Sequence, residues 1–166
     1  EQEVRDWVAA HPDFAGAVGF VEPARAVELW ETLAADSTAG YGTDPWMAGP
    51  LAQLFALAPF AVGKLNGLQA ADRTRFNREY LSQLLAGDDL SEQQREQLRA
   101  LKVALDDGSA AGERVALLSL FFETDDGSPR ASVAYGDVDT ADQITTMTHG
   151  IETDLSSVTD WSDSAL

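Results

Sequence analysis

The chain has 166 residues, 45% of them apolar, which is enough for a folded domain with a real core. It has no cysteine, which removes disulfides, thiolate metal sites and a cysteine nucleophile, and leaves the compartment unreadable from redox chemistry. Its net charge of −17, from 28 acidic and 11 basic residues, excludes the clustered Lys and Arg of a nucleic-acid binder and disfavours anionic membrane surfaces.

No window approaches the length of apolar sequence that spans a bilayer, so no membrane span is expected. Glu1 is not a start methionine and nothing near it resembles a signal sequence, so the native start is expected upstream. Only Arg114 and Arg130 are basic beyond residue 108, against eleven acidic residues there. Solubility is the plain meaning of that acidity. Calcium is the sharper one, through Asp137, Asp139 and Asp142. An EF-hand loop, however, needs an acidic residue or Asn where Ala141 stands.

In chain order, Val4, Trp7 and Val8 suggest a short helix that His11-Pro12 breaks. Pro23 opens an amphipathic helix through Ala26, Val27, Leu29, Trp30 and Leu33 to about Ala35. A Ser, Thr and Gly loop spans 36–45. Residues 46–57 form a buried helix ended by Pro59. Residues 59–68 are a tight connector with the turn pair Asn66-Gly67. The strongest helix is Ala70 to Leu85, with Phe76, Tyr80, Leu81, Leu84 and Leu85 on its apolar face and Gly87 closing it. Ser91 starts another helix through Leu98, Leu101 and Leu105, ended by Asp107 and Gly108.

At residue 113 the period changes. Residues 114–123 are a dense apolar run, 125–129 a turn, and 130–136 alternate with Ala131, Val133 and Tyr135 on one side. Two such runs joined by an Asp-Gly turn predict an antiparallel β-hairpin. A loop over 137–142 leads to a third strand from residue 143, with Ile144, Thr145, Thr146, Met147 and Thr148. Gly150 follows, and then a helix from Asp154 to Leu166, capped by Thr153 or Asp154. The fold class is mixed α and β: a helical region over 1–108, then strands and one helix over 109–166. That last helix lacks the parallel strand a crossover needs, so the chain is expected to be truncated.

No G-x-S-x-G, HExxH, P-loop or GxGxxG motif is present. The nearest serines to a nucleophile turn are Ser109 and Ser128, in polar loops. His11 and His149 are the only histidines. No cofactor and no metal site is implied. The remaining feature is the turn at His149 and Gly150, whose following N–H groups face the top of the sheet. Two meanings stay open there: an anion-stabilising turn, or a plain strand-to-helix connection.

Three stretches resemble an actinobacterial family of predicted α/β-hydrolases long catalogued as a domain of unknown function. The first is Val62-Gly63-Lys64-Leu65-Asn66-Gly67-Leu68-Gln69-Ala70-Ala71-Asp72-Arg73, continuing to Asn77-Arg78-Glu79-Tyr80-Leu81. It is similar to G-N-L-D-G-I-P-A-x-x-R-x-x-A-N-R-x-x-L. The second, Arg130-Ala131-Ser132-Val133-Ala134-Tyr135-Gly136-Asp137-Val138-Asp139-Thr140-Ala141-Asp142, is similar to R-A-x-V-A-x-G-D-x-D-T-A-D. The third, Thr148-His149-Gly150-Ile151-Glu152-Thr153, is similar to V-P-G-x-x-T. Gln69 and His149 stand where proline is usual, and His149-Gly150 also resembles the H-G turn of lipases and esterases.

The resemblance implies the first strands of a hydrolase sheet, a hairpin plus third strand, and its first covering helix. It implies an oxyanion loop at His149, Gly150 and Ile151, with the Ile151 N–H as donor. The nucleophile, acid and base histidine fall after the matched region. The implied partners are a small ester-like substrate and the remaining C-terminal half of the hydrolase domain. The alternative is a non-catalytic helical interaction module, motivated by the long helical region and the acidity.

Overall fold

A computed structural model describes residues 27–28, 30–31, 55–56, 58–122, 127–145 and 154–158. Among them lie three helices and a two-stranded antiparallel sheet. The helices are α1 (Pro59–Val62), α2 (Ala70–Ala86) and α3 (Glu92–Ala110), and the strands are β1 (Val115–Phe122) and β2 (Pro129–Tyr135). A 3-10 turn covers Leu155–Ser157. Residues 27–28, 30–31 and 55–56 are also helical. The helix expected near residue 4 lies outside the described residues. The chain divides into two compact units, Glu1–Glu79 and Tyr80–Leu166, with the boundary inside α2. The change from helical region to strands expected at residue 108 falls between the end of α3 at Ala110 and the start of β1 at Val115.

In the first unit, the helical residues 55–56 give way to the non-helical Ala58 just before Pro59, and Pro59 then opens a new helix. It is the first residue of α1, where its fixed φ suits the helix and its missing N–H costs nothing. The Gly63 N–H closes α1 on the Pro59 carbonyl at 3.0 Å. Gly67 follows at φ 95°, the left-handed value that the Asn66-Gly67 pair predicts. Phe76, fully buried on α2, meets Trp30 and Phe55 edge to face, each with ring centroids 5.6 Å away. Val62 and Leu68 complete this core.

In the second unit, α3 begins with a reciprocal cap. Ser91 Oγ accepts the Gln94 N–H at 3.2 Å, and Gln94 Oε1 accepts the Ser91 N–H at 2.8 Å. Leu98, Leu101 and Leu105 recur at three and four residues and are fully buried. Burying one such side chain stabilises by about 1.5–3 kcal/mol. The helix runs past the expected stop at Asp107-Gly108 to Ala110. Gly108 is there for closeness: a Cβ on it would lie 2.5 Å from Val115 Cγ2. The chain leaves α3 at Gly112, φ 83°. Arg95 joins the ends of the α2–α3 loop, its two Nη atoms donating to the Leu85 and Gly87 carbonyls at 2.9 Å each.

The hairpin appears where expected, and its register contains an irregularity. Val115 pairs with Tyr135, Leu117 with Val133, Leu120 with Ala131 and Phe122 with Pro129. Between Leu117 and Ser119 the register shifts, so Leu118 is an extra residue. In a regular strand Leu117 and Leu120 face opposite sides. The bulge restores parity, and both are fully buried beside Leu98, Leu101 and Leu105.

The third strand expected from residue 143 is not found among the described residues. Residues 143–145 are irregular and exposed, and Ile144 is 65% exposed. β-Branched residues favour strands only when a ladder and a packed face receive them. The rest of that expected strand lies outside the described residues.

Candidate functional site

His149, Gly150 and Ile151 lie outside the described residues, and so does most of their loop. The two flanks are described, and they differ. Upstream, β2 ends at Gly136, φ 97°, whose N–H donates to the Arg114 carbonyl at 2.8 Å. Asp137 accepts from Arg114 and from Thr140, and these bonds hold its carboxyl below the usual carboxylate range, Thr140 contributing most. Beyond it, residues 141–145 are exposed.

Downstream the chain is tied to the core. Asp154 caps the 3-10 turn, with Oδ1 accepting the Ser156 N–H at 2.8 Å and the Ser156 hydroxyl. Its Oδ2 accepts Gln97 Nε2 from α3 at 2.8 Å. The Ser156 hydroxyl first, and Gln97 second, lower the Asp154 pKa. Leu155 and Val158 are buried against the leucines of α3 and β1. The expected cap at Asp154 is therefore present, opening a 3-10 turn; residues 159–166 of the expected helix lie outside the described residues.

The first resembling stretch forms a polar lock. Asn77 on α2 is fully buried, and its Nδ2 donates to the Gly63 carbonyl at 3.1 Å. Arg73 Nε donates to the same carbonyl at 3.4 Å. Gly63 has an ordinary helical φ of −59°, so its glycine is a matter of space. A Cβ there would sit 2.0 Å from Asn77 Oδ1 and 2.6 Å from Asn77 Cγ. Trp30 Nε1 donates to Asp72 Oδ2 at 3.1 Å from the adjacent turn of α2. Lys64, half-buried just after Gly63, has its pKa lowered by desolvation.

Several sequence candidates resolve into structural roles. Ser109 lies inside α3, not in a loop, and its hydroxyl donates to the Leu105 carbonyl at 2.7 Å. Asp137, considered for calcium, is engaged by Arg114 and Thr140. Among the described residues no three His, Asp or Glu gather as a metal site, and no helix is long and apolar enough to cross a membrane. His11 lies outside the described residues.

The sequence reading missed Gln94 and Gln97. Gln97 is 3% exposed on α3, and Gln94 Nε2 also donates to the Gly127 carbonyl at 2.8 Å. Their signal was position: Gln94 and Gln97 precede Leu98 and Leu101 by four residues each, on the apolar stripe. No family model, no curated protein and no solved structure matches this chain.

Proposed function

We propose that this chain is the N-terminal part of a serine α/β-hydrolase that cleaves a small ester, thioester or amide by acyl transfer. The observation that carries the reading is the ordered series of three stretches over 62–81, 130–142 and 148–153 that resemble the actinobacterial hydrolase family. In this reading Gly150 permits the turn, His149-Gly150 is the lipase-like H-G pair, and the Ile151 N–H is an oxyanion donor. In the family the chain resembles, the serine, acid and histidine follow the matched region, so none of the three is assigned to a residue of this chain.

The chemistry assigns this chain a supporting part. When a serine Oγ attacks the substrate carbonyl, its proton passes to the histidine and negative charge grows on the carbonyl oxygen. A fixed N–H aimed at that oxygen is worth roughly 10²–10³ in rate. Such a donor needs a rigid mount, because a shift of about 1 Å costs two orders of magnitude. Asp154, Gln97, Leu155 and Val158 supply a mount on the downstream side of the loop. The antiparallel hairpin over 115–135 stands where such a sheet would begin.

The test is the natural full-length protein, assayed with short p-nitrophenyl esters and a fluorophosphonate probe. Hydrolysis together with labelling of a serine downstream of residue 166 supports the reading, and no labelled serine ends it. The second reading, a non-catalytic interaction module, is favoured by the acidity. A distinct protein co-eluting with a full-length chain that hydrolyses no ester would support it.

A further inference from the structure

We propose that Asn66 is a self-modification site, where the exposed Asn66-Gly67 turn closes to a succinimide and reopens as isoaspartate and aspartate. The chain has two asparagines, Asn66 and Asn77, and the structure gives them opposite settings. Asn66 and Gly67 form a turn between α1 and α2, and both are exposed. The turn lies between two anchors. Before it, the Leu65 N–H donates to the Val62 carbonyl at 3.0 Å; after it, the Arg73 N–H donates to the Gln69 carbonyl at 3.1 Å. Gly67 stands at φ 95°. Asn77 is instead fully buried on α2, and its Nδ2 is committed to the Gly63 carbonyl at 3.1 Å.

Ring closure requires the backbone nitrogen of the following residue to reach the asparagine Cγ. A side chain on that residue crowds the approach, and glycine has none. Its wide range of φ also lets the peptide swing onto the Asn66 side chain, and φ 95° shows that this freedom is in use. Exposure supplies the base and the water that the reaction consumes. At Asn77 the following residue is Arg78, with a long side chain and a place inside α2. A helix directs each N–H to the carbonyl four residues back, away from the neighbouring side chain.

The reaction balances with water alone. The Gly67 nitrogen gives its proton to solvent and attacks Asn66 Cγ, and a C–N bond forms. The Cγ–Nδ2 bond breaks, and ammonia leaves after taking a proton from water. Water then opens the ring at either carbonyl. Cleavage between the ring nitrogen and Cγ leaves aspartate. Cleavage between the ring nitrogen and the Asn66 main-chain carbonyl leaves isoaspartate, with the backbone routed through Cβ and one methylene longer. Either product adds a negative charge to a chain already at −17. The longer backbone falls just before Leu68, which is buried with Val62 and Phe76. This proposal stands apart from the hydrolase reading.

The experiment holds the folded full chain at neutral and at mildly alkaline pH. Mass spectrometry follows the peptides that contain Asn66 and Asn77, with a synthetic peptide of residues 62–70 as reference. Asn66 is expected to convert within a few-fold of the reference rate, faster at the higher pH, while Asn77 keeps its amide. An isoaspartyl carboxyl methyltransferase should then methylate the peptide holding residue 66. Asn66→Gln, whose longer side chain disfavours the ring, should abolish the ammonia release and keep the unfolding midpoint of the parent. The proposal is overturned if Asn66 keeps its amide in the folded chain while the reference peptide converts. Conversion of Asn77 at the same rate, or ammonia release from Asn66→Gln at the rate of the parent, would overturn it as well.

Discussion

The Gly63 connector and the β1–β2 hairpin each hold an irregular piece of backbone in a buried setting, by opposite means. At Gly63 the device is polar: a buried amide and a guanidine share one carbonyl, and the absence of a side chain lets Asn77 approach. In the hairpin the device is apolar: the extra residue Leu118 lets Leu117 and Leu120 enter the same core. The difference is one of tolerance. A polar lock depends on a few distances, so one methyl group is enough to jam it. An apolar face depends on parity and volume, so it tolerates changes that conserve both.

The largest expected effect is on the apolar side. Leu120→Ala removes a fully buried side chain and should cost about 2–5 kcal/mol in chemical denaturation. A cost near zero would mean Leu120 is not in the core. Next is Gly63→Ala, which should cost about 1–3 kcal/mol because its Cβ collides with Asn77. The same change in an Asn77→Ala background should cost less, since the colliding atoms are gone. Additive costs would dissolve the lock, because contacting residues couple.

Deleting Leu118 is a smaller and more pointed change. It removes the extra residue while leaving Leu117 opposite Val133 and Leu120 opposite Ala131. The deletion should cost less than Leu120→Ala and leave the dependence on denaturant unchanged. A larger cost would show that the bulge is needed for more than parity. The smallest effect is pH-dependent. The Asp154 pKa is lowered in the folded chain, so its contribution is present above the unfolded value of about 3.9 and is lost as pH falls below it. Asp154→Asn should therefore be less stable than the parent at pH 7 and lose less on acidification. Parallel stability curves from pH 7 to pH 3 would contradict this.

The capping of α3 by Ser91, the buried leucine stripe, the closing of α2 by Gly87 and the hairpin over 115–135 were legible because each is a local pattern. Four features were not. A bulge is invisible to an alternation rule, which cannot know that Leu118 is surplus. Gly108 looked like a stop because glycine usually is one, whereas here it makes room for Val115. Pro59 reads from the sequence only as a stop, and its second role as the first residue of α1 does not show there. The run at Ile144 has strand chemistry without a described strand to pair with, and pairing is not a property of one segment. Of the candidate site, the cap at Asp154 was legible from its residue type, and its anchor on Gln97, 57 residues away in sequence, was not. His149, Gly150 and Ile151 lie outside the described residues and rest on the resemblance.

The most direct test of the hydrolase proposal is a single substitution at the loop that defines it. In the natural full-length protein, Gly150→Val should lower kcat for a p-nitrophenyl ester by roughly 10²–10³, the usual loss when an oxyanion donor is misplaced. The unfolding midpoint and fluorophosphonate-reactive serine should remain. A variant with undiminished kcat would contradict the role of this loop, and a parent protein with no reactive serine would contradict the function itself.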